Sequence, residues 1–356
     1  MSRFIRNVTV LSRLGLSILH AKLLSRRRPV FVGLYITNRC NLSCRYCFAN
    51  VDARFTDPTH PPGLPREEVF RYVDELYDMG MRWVFLLGGE PLMHPHIGAI
   101  VRHIVDKGIL LHILTNGTLI ERRLDDIAPA DGICVSIDGT QQATDAMRGK
   151  DAYRRAMNGA RAALDRGMKT RIHAVLNKES FGDMEALAVM AREMGLSISL
   201  SPLNYLGEGG KHPEASLTRE EYQEFYRRYR QLKADGYPIN NSFYAIDKTI
   251  GWPIDYHEYL KPGQQFPGYE PIPCVIGQTH GCIDADGILF NCIQRGCLDG
   301  LKINEVGMQA AWDELPRRRQ DCVSCASINT IETSAYLSLK PAILLDGLRF
   351  FFGKQG

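Results

Sequence analysis

Between residues 30 and 202, short apolar runs alternate with longer stretches in which apolar positions recur with a helical period. The short runs predict buried strands, and the 3.6-residue period predicts amphipathic helices. The predicted strands are 30–37, 83–88, 110–115, 132–138, 170–176 and 196–201. The predicted helices are 66–79, 96–107, 119–128, 152–167 and 181–194. This alternation predicts an α/β fold whose parallel sheet curls, through right-handed crossovers, into a partial (β/α)6 TIM-like barrel.

The alternation ends after residue 202. One further helix is predicted at 217–235, and the aromatic, proline-rich stretch that follows predicts a long loop with little regular structure. Six cysteines then lie between 274 and 325, and an apolar helix closes the chain. The predicted organisation is an N-terminal helix, the barrel core, a helix with a long loop, a cysteine-rich extension and a C-terminal helix, at 1–29, 30–202, 203–270, 271–330 and 331–356.

The N-terminal segment is apolar and basic. Arg13, His20 and Lys22 interrupt its apolar run, so we expect neither a membrane span nor a secretory signal with a cleavage site. We expect a basic amphipathic helix that either packs on the protein or lies on a membrane surface. The residues that could share its apolar face are Val8, Leu11, Leu14, Ile18 and Leu19. The C-terminal LRFFFGK has a similar character, so peripheral membrane contact is an alternative to plain packing at both ends.

Composition narrows the class of protein. Apolar residues make up 45% and charged residues 23% of the 356-residue chain, as in ordinary globular proteins. The net charge of +3 is small, and we expect no nucleic-acid partner. The ten cysteines cluster at short spacing, which favours metal binding over disulfides. Metal-bound thiolates suit a reducing compartment, so we expect a cytoplasmic location, with membrane association as an addition.

Cys40, Cys44 and Cys47 form a C-x3-C-x2-C group directly after the first predicted strand. A structural zinc site and an ordinary cubane iron-sulfur cluster each use four protein ligands, so three thiolates would leave one metal corner open. The group also lies at the strand end where barrel enzymes hold their chemistry. An open iron there could bind a substrate or cofactor directly. The alternatives are three unrelated cysteines and a zinc site with a distant fourth ligand.

This CxxxCxxC group resembles the signature of the radical S-adenosylmethionine (SAM) enzymes, and the resemblance covers residues 30–202 and part of 270–330. It implies a [4Fe-4S] cluster on the three cysteines, with SAM chelating the open iron. It further implies that an electron, from a donor such as flavodoxin or ferredoxin, splits SAM. The resulting 5'-deoxyadenosyl radical would remove a hydrogen atom from an organic substrate. Because the cofactor carries this chemistry, the sequence does not identify the substrate.

The resemblance also implies a set of SAM-binding residues. They are Phe48, Gly88, Gly89, Glu90, Pro91, Asn116, Ser136, Asp138, Arg148 and Leu176. The glycines let the backbone approach a ligand closely, and an acceptor in this GGEP turn would take the ammonium group of SAM. Ser136 and Arg148 would hold its carboxylate. Asn116 and Asp138 would contact the ribose or cap the next helix. Phe48 and Leu176 would pack on adenine or belong to the core.

A second cysteine group comprises Cys274, Cys292, Cys322 and Cys325. The stretch before Cys292 predicts a β-hairpin whose turn is Asp286–Gly287. A hairpin and helix with these cysteines resemble the twitch extension, a shortened SPASM domain, which implies one auxiliary [4Fe-4S] cluster. Zinc in the same four thiolates is the alternative. Cys134, within the fourth predicted strand, is most simply a core residue.

Cys282 and Cys297 remain unassigned. Either could replace a ligand, donate a hydrogen atom to a substrate radical as in radical epimerases, or be an inert buried thiol. We expect a radical SAM oxidoreductase that dehydrogenates or epimerises a small metabolite, a sugar or a lipid-linked compound. The alternatives are a peptide-modifying maturase, for cross-linking or cofactor biosynthesis, and a non-catalytic zinc-binding module.

Overall fold

The computed structural model describes residues 3–23, 27–47, 57, 59–203, 217–292, 300–315 and 321–343. The chain forms two compact units. The first comprises residues up to 135, 154–170 and 276–319, and the second comprises 136–153, 171–275 and the residues from 320 onward. The C-terminal hairpin therefore belongs to the same unit as the first strands of the predicted barrel. The five-part division expected from the sequence stays a prediction.

The strands of the alternating region closely follow the sequence pattern. They are β1 (Phe31–Tyr35), β2 (Trp83–Leu87), β3 (Leu110–Thr115), β4 (Gly132–Ser136), β5 (Thr170–Leu176) and β6 (Ser197–Pro202). The helices of this region are α2 (Arg66–Met79), α3 (Ile97–Asp106), α4 (Ile120–Ile127), α5 (Gln141–Arg148), α6 (Ala152–Asp165) and α7 (Met184–Glu193), and α1 (Arg3–Leu23) precedes them. The predicted α/β class with a parallel sheet is confirmed. Helix α5 was not predicted.

In the first unit, the sheet has the strand order β10-β9-β8-β1-β2-β3-β4. The added strands are β8 (His280–Ile283), β9 (Ile288–Phe290) and β10 (Leu301–Lys302). β8 runs parallel to β1, with Gly33 paired to Cys282, and β9 returns antiparallel to β8. The hairpin with its Asp286–Gly287 turn, which the sequence predicted, is confirmed. Its pairing with β1 was not predicted, and it places the hairpin at the edge of the central sheet.

The two faces of this sheet differ in character. Val84 and Leu86 of β2 are fully buried, whereas the alternate residues Trp83, Phe85 and Leu87 are only partly buried. Because successive side chains in a strand point to opposite faces, the first set packs in the fully buried layer and the second set forms the other face. This second face carries a run of aromatic rings, in which Phe31 stacks on Trp83 with ring centroids 4.3 Å apart.

In the second unit, β5 and β6 pair in parallel, and the helices α8 (Arg219–Ala234) and α9 (Phe243–Ile250) follow. α9 lies in the stretch for which we predicted a long loop, so that prediction was wrong for Phe243–Ile250. Its N-cap Ser242 accepts a hydrogen bond from the backbone N–H of Ala245, and Ser242 itself binds the buried carboxylate of Glu332. Tertiary contacts thus stabilise this helix. It has only eight residues, and so short a helix is difficult to predict from a sequence pattern.

The C-terminal helix predicted at 331–356 is interrupted within the described residues. The strands β7 (Tyr259–Leu260) and β11 (Ser324–Cys325) pair, and α12 then covers Ile328–Leu337. In the first unit, α10 (Ile303–Val306) and α11 (Met308–Glu314) follow β10. α12 ends in a turn at Ser338–Leu339, shortly before Pro341, whose ring disfavours a continuous helix. Residues after 343, including LRFFFGK, lie outside the described part. None of the described helices is long and apolar enough to cross a membrane.

Candidate active site

The loop that follows β1 carries the first three cysteines, and backbone contacts to the loop after β2 hold it. The N–H of Gly89 donates to the carbonyl of Thr37 at 2.8 Å, and the N–H of Glu90 donates to the carbonyl of Arg39 at 2.8 Å. A Cβ atom on Gly89 would lie only 2.4 Å from the Arg39 carbonyl oxygen. Glycine is therefore required at position 89 for the two loops to approach each other.

The three cysteines share one short segment of this loop. The N–H of Cys47 donates to the carbonyl of Cys44 at 3.1 Å, which forms a turn between them. Cys40 retains exposed surface, yet the pKa of its thiol is raised to about 11, mainly by burial around the sulfur and also by the nearby Glu90 and Cys47, against a lowering hydrogen bond with the backbone of Leu42. Within the described residues, no three Cys, His, Asp or Glu side chains are gathered to hold a single metal ion.

Glu90 is fully buried and joins the ends of β2 and β3. Its Oε1 accepts hydrogen bonds from the Thr115 hydroxyl at 2.7 Å and from the backbone N–H of Leu92 at 3.0 Å. Its Oε2 accepts from the backbone N–H of Asn116 at 2.7 Å. The sequence placed Glu90 among the residues that contact SAM. The structure shows it making the contacts that fix the rim of the site, and a contact with SAM stays a prediction.

Asn116 connects β3 to the cysteine loop. Its Nδ2 donates to Asn41 Oδ1 at 2.9 Å and lies 3.9 Å from the sulfur of Cys40. Its Oδ1 accepts from the backbone N–H of Thr118, whereas the N-cap position of α4 is Leu119. Asn116 therefore makes a turn before the helix and does not cap it. Its expected contact with a ribose stays a prediction.

The turn of the C-terminal hairpin also contacts the base of the cysteine loop. Asp286 Oδ1 accepts a hydrogen bond from Asn38 Nδ2 at 3.0 Å and lies 2.8 Å from His60 Nε2. Asn38 is buried two residues before Cys40. The sequence predicted the turn but not this contact, because the residues are more than 200 positions apart. The Asp-Gly sequence indicates a hairpin turn, but it does not indicate which distant residue that turn contacts.

In the second unit, Asp138 and Arg148 form a buried ion pair. Arg148 Nε donates to Asp138 Oδ2 at 2.6 Å, and one Nη donates to Oδ1 at 2.9 Å. The backbone N–H of Val175 donates to the same carboxylate at 3.0 Å. The N-cap of α5 is Thr140, so Asp138 does not cap that helix. The pair fixes the orientation of Arg148, whose expected contact with a carboxylate of SAM stays a prediction.

The other predicted SAM contacts occupy varied positions. Ser136 is half-buried at the end of β4, and Pro91 is buried at the start of a short 3-10 turn. Leu176 is fully buried at the end of β5, which suits the core role that the sequence left open. Its contact with adenine stays a prediction. Phe48 lies outside the described residues.

His173 lies beside the Asp138–Arg148 pair, on the half-buried face of β5. Its pKa is lowered to about 4, mainly by burial and also by the positive charges of Arg171 and Arg148, while Asp138 opposes the shift. Its Nδ1 lies 2.9 Å from Ser199 Oγ. The imidazole is therefore neutral near pH 7. The sequence analysis did not single out this residue, although a histidine within an apolar strand was visible there.

The second cysteine group is distributed over both units. In the second unit, the backbone N–H of Cys274 donates at 2.9 Å to the carbonyl of Val323, the residue that follows Cys322. Cys325 lies in β11, so the segments of these three cysteines are neighbours. Cys292 follows β9 in the first unit. None of the nine cysteines that the structure describes forms a disulfide.

Two of the remaining cysteines are buried. Cys282 is 8% exposed and packs with Tyr35, Ala285 and Phe290. A Cβ atom on Gly33 would lie 3.1 Å from its sulfur, so the thiol rests against the backbone of β1. Cys134 is 1% exposed within β4, as expected of a core residue. Cys297 lies outside the described residues.

The first cysteine loop carries donors that suit an iron-sulfur cluster. They are three thiols on eight consecutive residues. In a cubane cluster each cysteine binds a different iron. Backbone contacts and Asn116 hold the loop independently of any metal. The three thiols, together with the contacts that hold their loop, therefore suit a [4Fe-4S] cluster.

The fold and the cysteine loop define a class of iron-sulfur enzyme. Residues 34–191 match the sequence model of the family described as the radical SAM superfamily. This segment of the chain is similar to the radical SAM superfamily. The resemblance inferred from CxxxCxxC is thereby confirmed.

Several known proteins are similar to the chain. It is 28% identical over 277 residues to the Fe-coproporphyrin III synthase of Methanosarcina barkeri, which covers 73% of this chain and 67% of the relative. It is also 28% identical over 345 residues to the AdoMet-dependent heme synthase of the same organism, with coverage of 88% and 95%. The SAM-bound structure of Streptococcus suis SuiB aligns with a TM-score of 0.66 at 18% identity, over 84% of this chain and 70% of SuiB. This last likeness confirms the fold.

Proposed function

We propose that the chain holds a [4Fe-4S] cluster on Cys40, Cys44 and Cys47 and uses SAM to remove a hydrogen atom from an organic substrate. When bound, the cluster and SAM supply the reductive cleavage that yields a 5'-deoxyadenosyl radical. This proposal rests on one observation: hydrogen bonds connect the ends of β1, β2 and β3 around the cysteine loop. Glu90 connects the loop after β2 to the end of β3, and Asn116 reaches from there to Asn41 and Cys40.

The residues of the chain have distinct tasks in this proposal. Gly88 and Gly89 bring the backbone after β2 against the cysteine loop, and their carbonyls would accept hydrogen bonds from the ammonium of SAM. Arg148, oriented by Asp138, would bind the carboxylate of SAM together with Ser136. A reduced flavodoxin or ferredoxin is the class of electron donor that we propose.

Anaerobic reconstitution with iron and sulfide tests the first part. The wild type should become brown, and with dithionite and SAM it should release 5'-deoxyadenosine. A C40A/C44A/C47A variant should lose about four irons per chain and all SAM cleavage. The matched control is C134A, which removes a thiol from the same unit without touching the loop. A colourless wild type that contains only zinc would support the zinc-binding alternative instead.

We further propose that the reaction is a dehydrogenation-type oxidation rather than an epimerisation. Epimerisation needs a hydrogen donor on the protein, and of the two candidate thiols Cys282 is packed against β1 among Tyr35, Ala285 and Phe290, whereas Cys297 lies outside the described residues. An oxidation instead needs an electron acceptor, and an auxiliary cluster on the second cysteine group would provide one. In the C282A variant we expect unchanged product formation. A C282A variant that still cleaves SAM but forms no product would support the donor role.

For the substrate, we propose an organic cofactor precursor of the tetrapyrrole class. Support comes from the two relatives whose names refer to coproporphyrin and heme, one of which aligns over 88% of this chain. A second support is the partly buried face of β2, where Trp83 and Phe85 carry aromatic rings of the kind on which a flat ligand stacks.

Absorbance titration with iron coproporphyrin III tests this substrate class. We expect a shifted Soret band with saturable binding, and consumption of the porphyrin in the presence of SAM and reductant. Haemin and a carboxylate-free porphyrin serve as comparison ligands. If SAM is cleaved but no porphyrin binds, the tetrapyrrole proposal fails while the radical SAM proposal stands.

A further inference from the structure

Helix α1 has two apolar faces, and only one of them is covered. The buried face comprises Val10, Leu14, Ser17, Ile18 and Ala21. On the other side, Leu16 is 66% and Leu23 is 70% exposed, and Val8 and Leu19 are about 40% exposed. At 3.6 residues per turn, these four side chains fall within an arc of about 80°. They account for four of the six large apolar residues that are exposed in the described part of the chain.

The buried face fixes α1 to the first unit at the edge where the strands begin. The Ser17 hydroxyl donates to the carbonyl of Gly80, three residues before β2, at 2.7 Å. Arg6 forms an ion pair with Asp131, directly before β4, in which one Nη donates to Oδ2 at 3.1 Å. The exposed stripe is therefore held in place by the folded unit and does not depend on a ligand to form.

The titratable residues beside the exposed stripe are all basic. Arg13 and His20 flank it on one side and Lys22 on the other, and all three are exposed. The first 51 residues contain nine Lys and Arg residues and no Asp or Glu. An apolar stripe whose charged neighbours are all basic is the pattern of a helix that lies in the interface of an anionic membrane. Protein–protein interfaces are depleted in lysine and have few charged residues at their core, so this border favours lipid over another protein as the occupant.

We infer that the outer face of α1 docks on an anionic lipid membrane surface. Leu16, Leu19 and Leu23 insert between the headgroups, and Arg13, Lys22 and Arg27 lie against the lipid phosphates. α1 lies at the edge where the strands begin, whereas the cysteine loop follows the end of β1. Docking through α1 thus points the catalytic edge away from the bilayer. The contact is a peripheral anchor, and it does not deliver a lipid substrate from that bilayer.

Vesicle co-sedimentation of the full, reconstituted chain tests this inference. We expect the wild type to pellet with vesicles that contain phosphatidylglycerol, about tenfold more strongly than with phosphatidylcholine alone, and to dissociate at high ionic strength. The L16E/L19E variant should lose at least about tenfold in binding. A K22Q/R27Q variant should bind more weakly and with less dependence on salt. The matched control V306E alters an exposed apolar residue of α10, and should bind as the wild type does.

Folding and chemistry are checked in the same preparations. Iron content, circular dichroism and SAM cleavage in the absence of vesicles should be unchanged in L16E/L19E, because its positions face away from the protein. A wild type that does not pellet with anionic vesicles overturns the inference, as does an equal loss in V306E. A wild-type dimer that L16E/L19E converts to a monomer, without vesicle binding, would show that α1 contacts a second copy of the chain.

Discussion

The Asn116 backbone N–H donates a hydrogen bond of 2.7 Å to Oε2 of the buried Glu90. The two residues lie 26 positions apart, at the ends of neighbouring parallel strands. Asn116 in turn reaches the cysteine loop through Asn41, so the carboxylate holds the strand end that supports the loop. The glutamate of the GGEP turn thus has a structural task that does not require a bound ligand.

Replacing Glu90 by Gln should destabilise the fold. In the variant, an amide NH2 group replaces a carboxylate oxygen that accepts a hydrogen bond from a buried N–H group. That N–H group therefore loses its acceptor. We expect the free energy of unfolding to fall by about 1.5–3 kcal/mol, the value typical of hydrogen bonds to charged groups. Urea denaturation measures it, with the exposed Glu67→Gln as control. Equal stability of E90Q and E67Q would contradict this prediction.

The Asp138–Arg148 pair leads to a second prediction. Both groups are buried, so Asp138→Asn leaves the Arg148 charge without its partner carboxylate. We expect a loss of about 3–5 kcal/mol in the free energy of unfolding, as for other broken buried pairs. The control is Asp125→Asn, which breaks the exposed pair with Arg166 and should change stability little.

SAM affinity separates the structural role of this pair from its proposed binding role. Arg148→Lys keeps the charge but removes the planar fork, and we expect SAM to bind about tenfold more weakly to it. Arg166→Lys is the matched control. If R148K loses stability but binds SAM as the wild type does, Arg148 serves the fold alone.

Much of the alternating region could be predicted from sequence. The bounds of β3, β5 and α2 agree with the predicted ranges at both ends, because a hydrophobic pattern reports which local face is buried. The CxxxCxxC group could be assigned because its spacing and its place after a strand belong together on one short segment. Such features depend on neighbouring residues only.

The features that escaped prediction depend on contacts between distant residues. Asp286 accepts a hydrogen bond from Asn38, which lies 248 positions earlier in the sequence. Likewise, most of the chain separates β8 from its partner strand β1. Helix α9 is stabilised by the contact of Ser242 with Glu332, 90 residues away. In each case the local sequence is compatible with several partners, and only the tertiary fold selects one.

The second cysteine group gives a prediction that is independent of SAM cleavage. If Cys322 and Cys325 bind an auxiliary [4Fe-4S] cluster, C322A/C325A should retain about four of about eight irons per chain. The variant should still release 5'-deoxyadenosine, because the Cys40–Cys47 loop is unchanged. Iron and zinc analysis measures the difference, with C134A as control. Unchanged iron would disprove the assignment, and stoichiometric zinc lost from the variant would establish the zinc alternative.

His173 predicts how stability depends on pH. Its folded-state pKa is about 4 against 6.5 for an ordinary histidine, so between these values the unfolded chain binds a proton that the folded chain does not. The stability contribution is therefore complete above about pH 6.5 and falls as the pH decreases towards 4. From pH 7 to pH 5 this group should cost about 2 kcal/mol.

The variant His173→Gln isolates this contribution. Glutamine stays neutral throughout and can still pair with Ser199, so the stability of H173Q should fall less than that of the wild type between pH 7 and pH 5. Arg171, Arg148 and Asp138 face the histidine and are unchanged in the variant. Urea denaturation at both pH values gives the difference, and the exposed His96→Gln should follow the wild type. If H173Q and the wild type lose equal stability, the imidazole is not kept neutral by its burial.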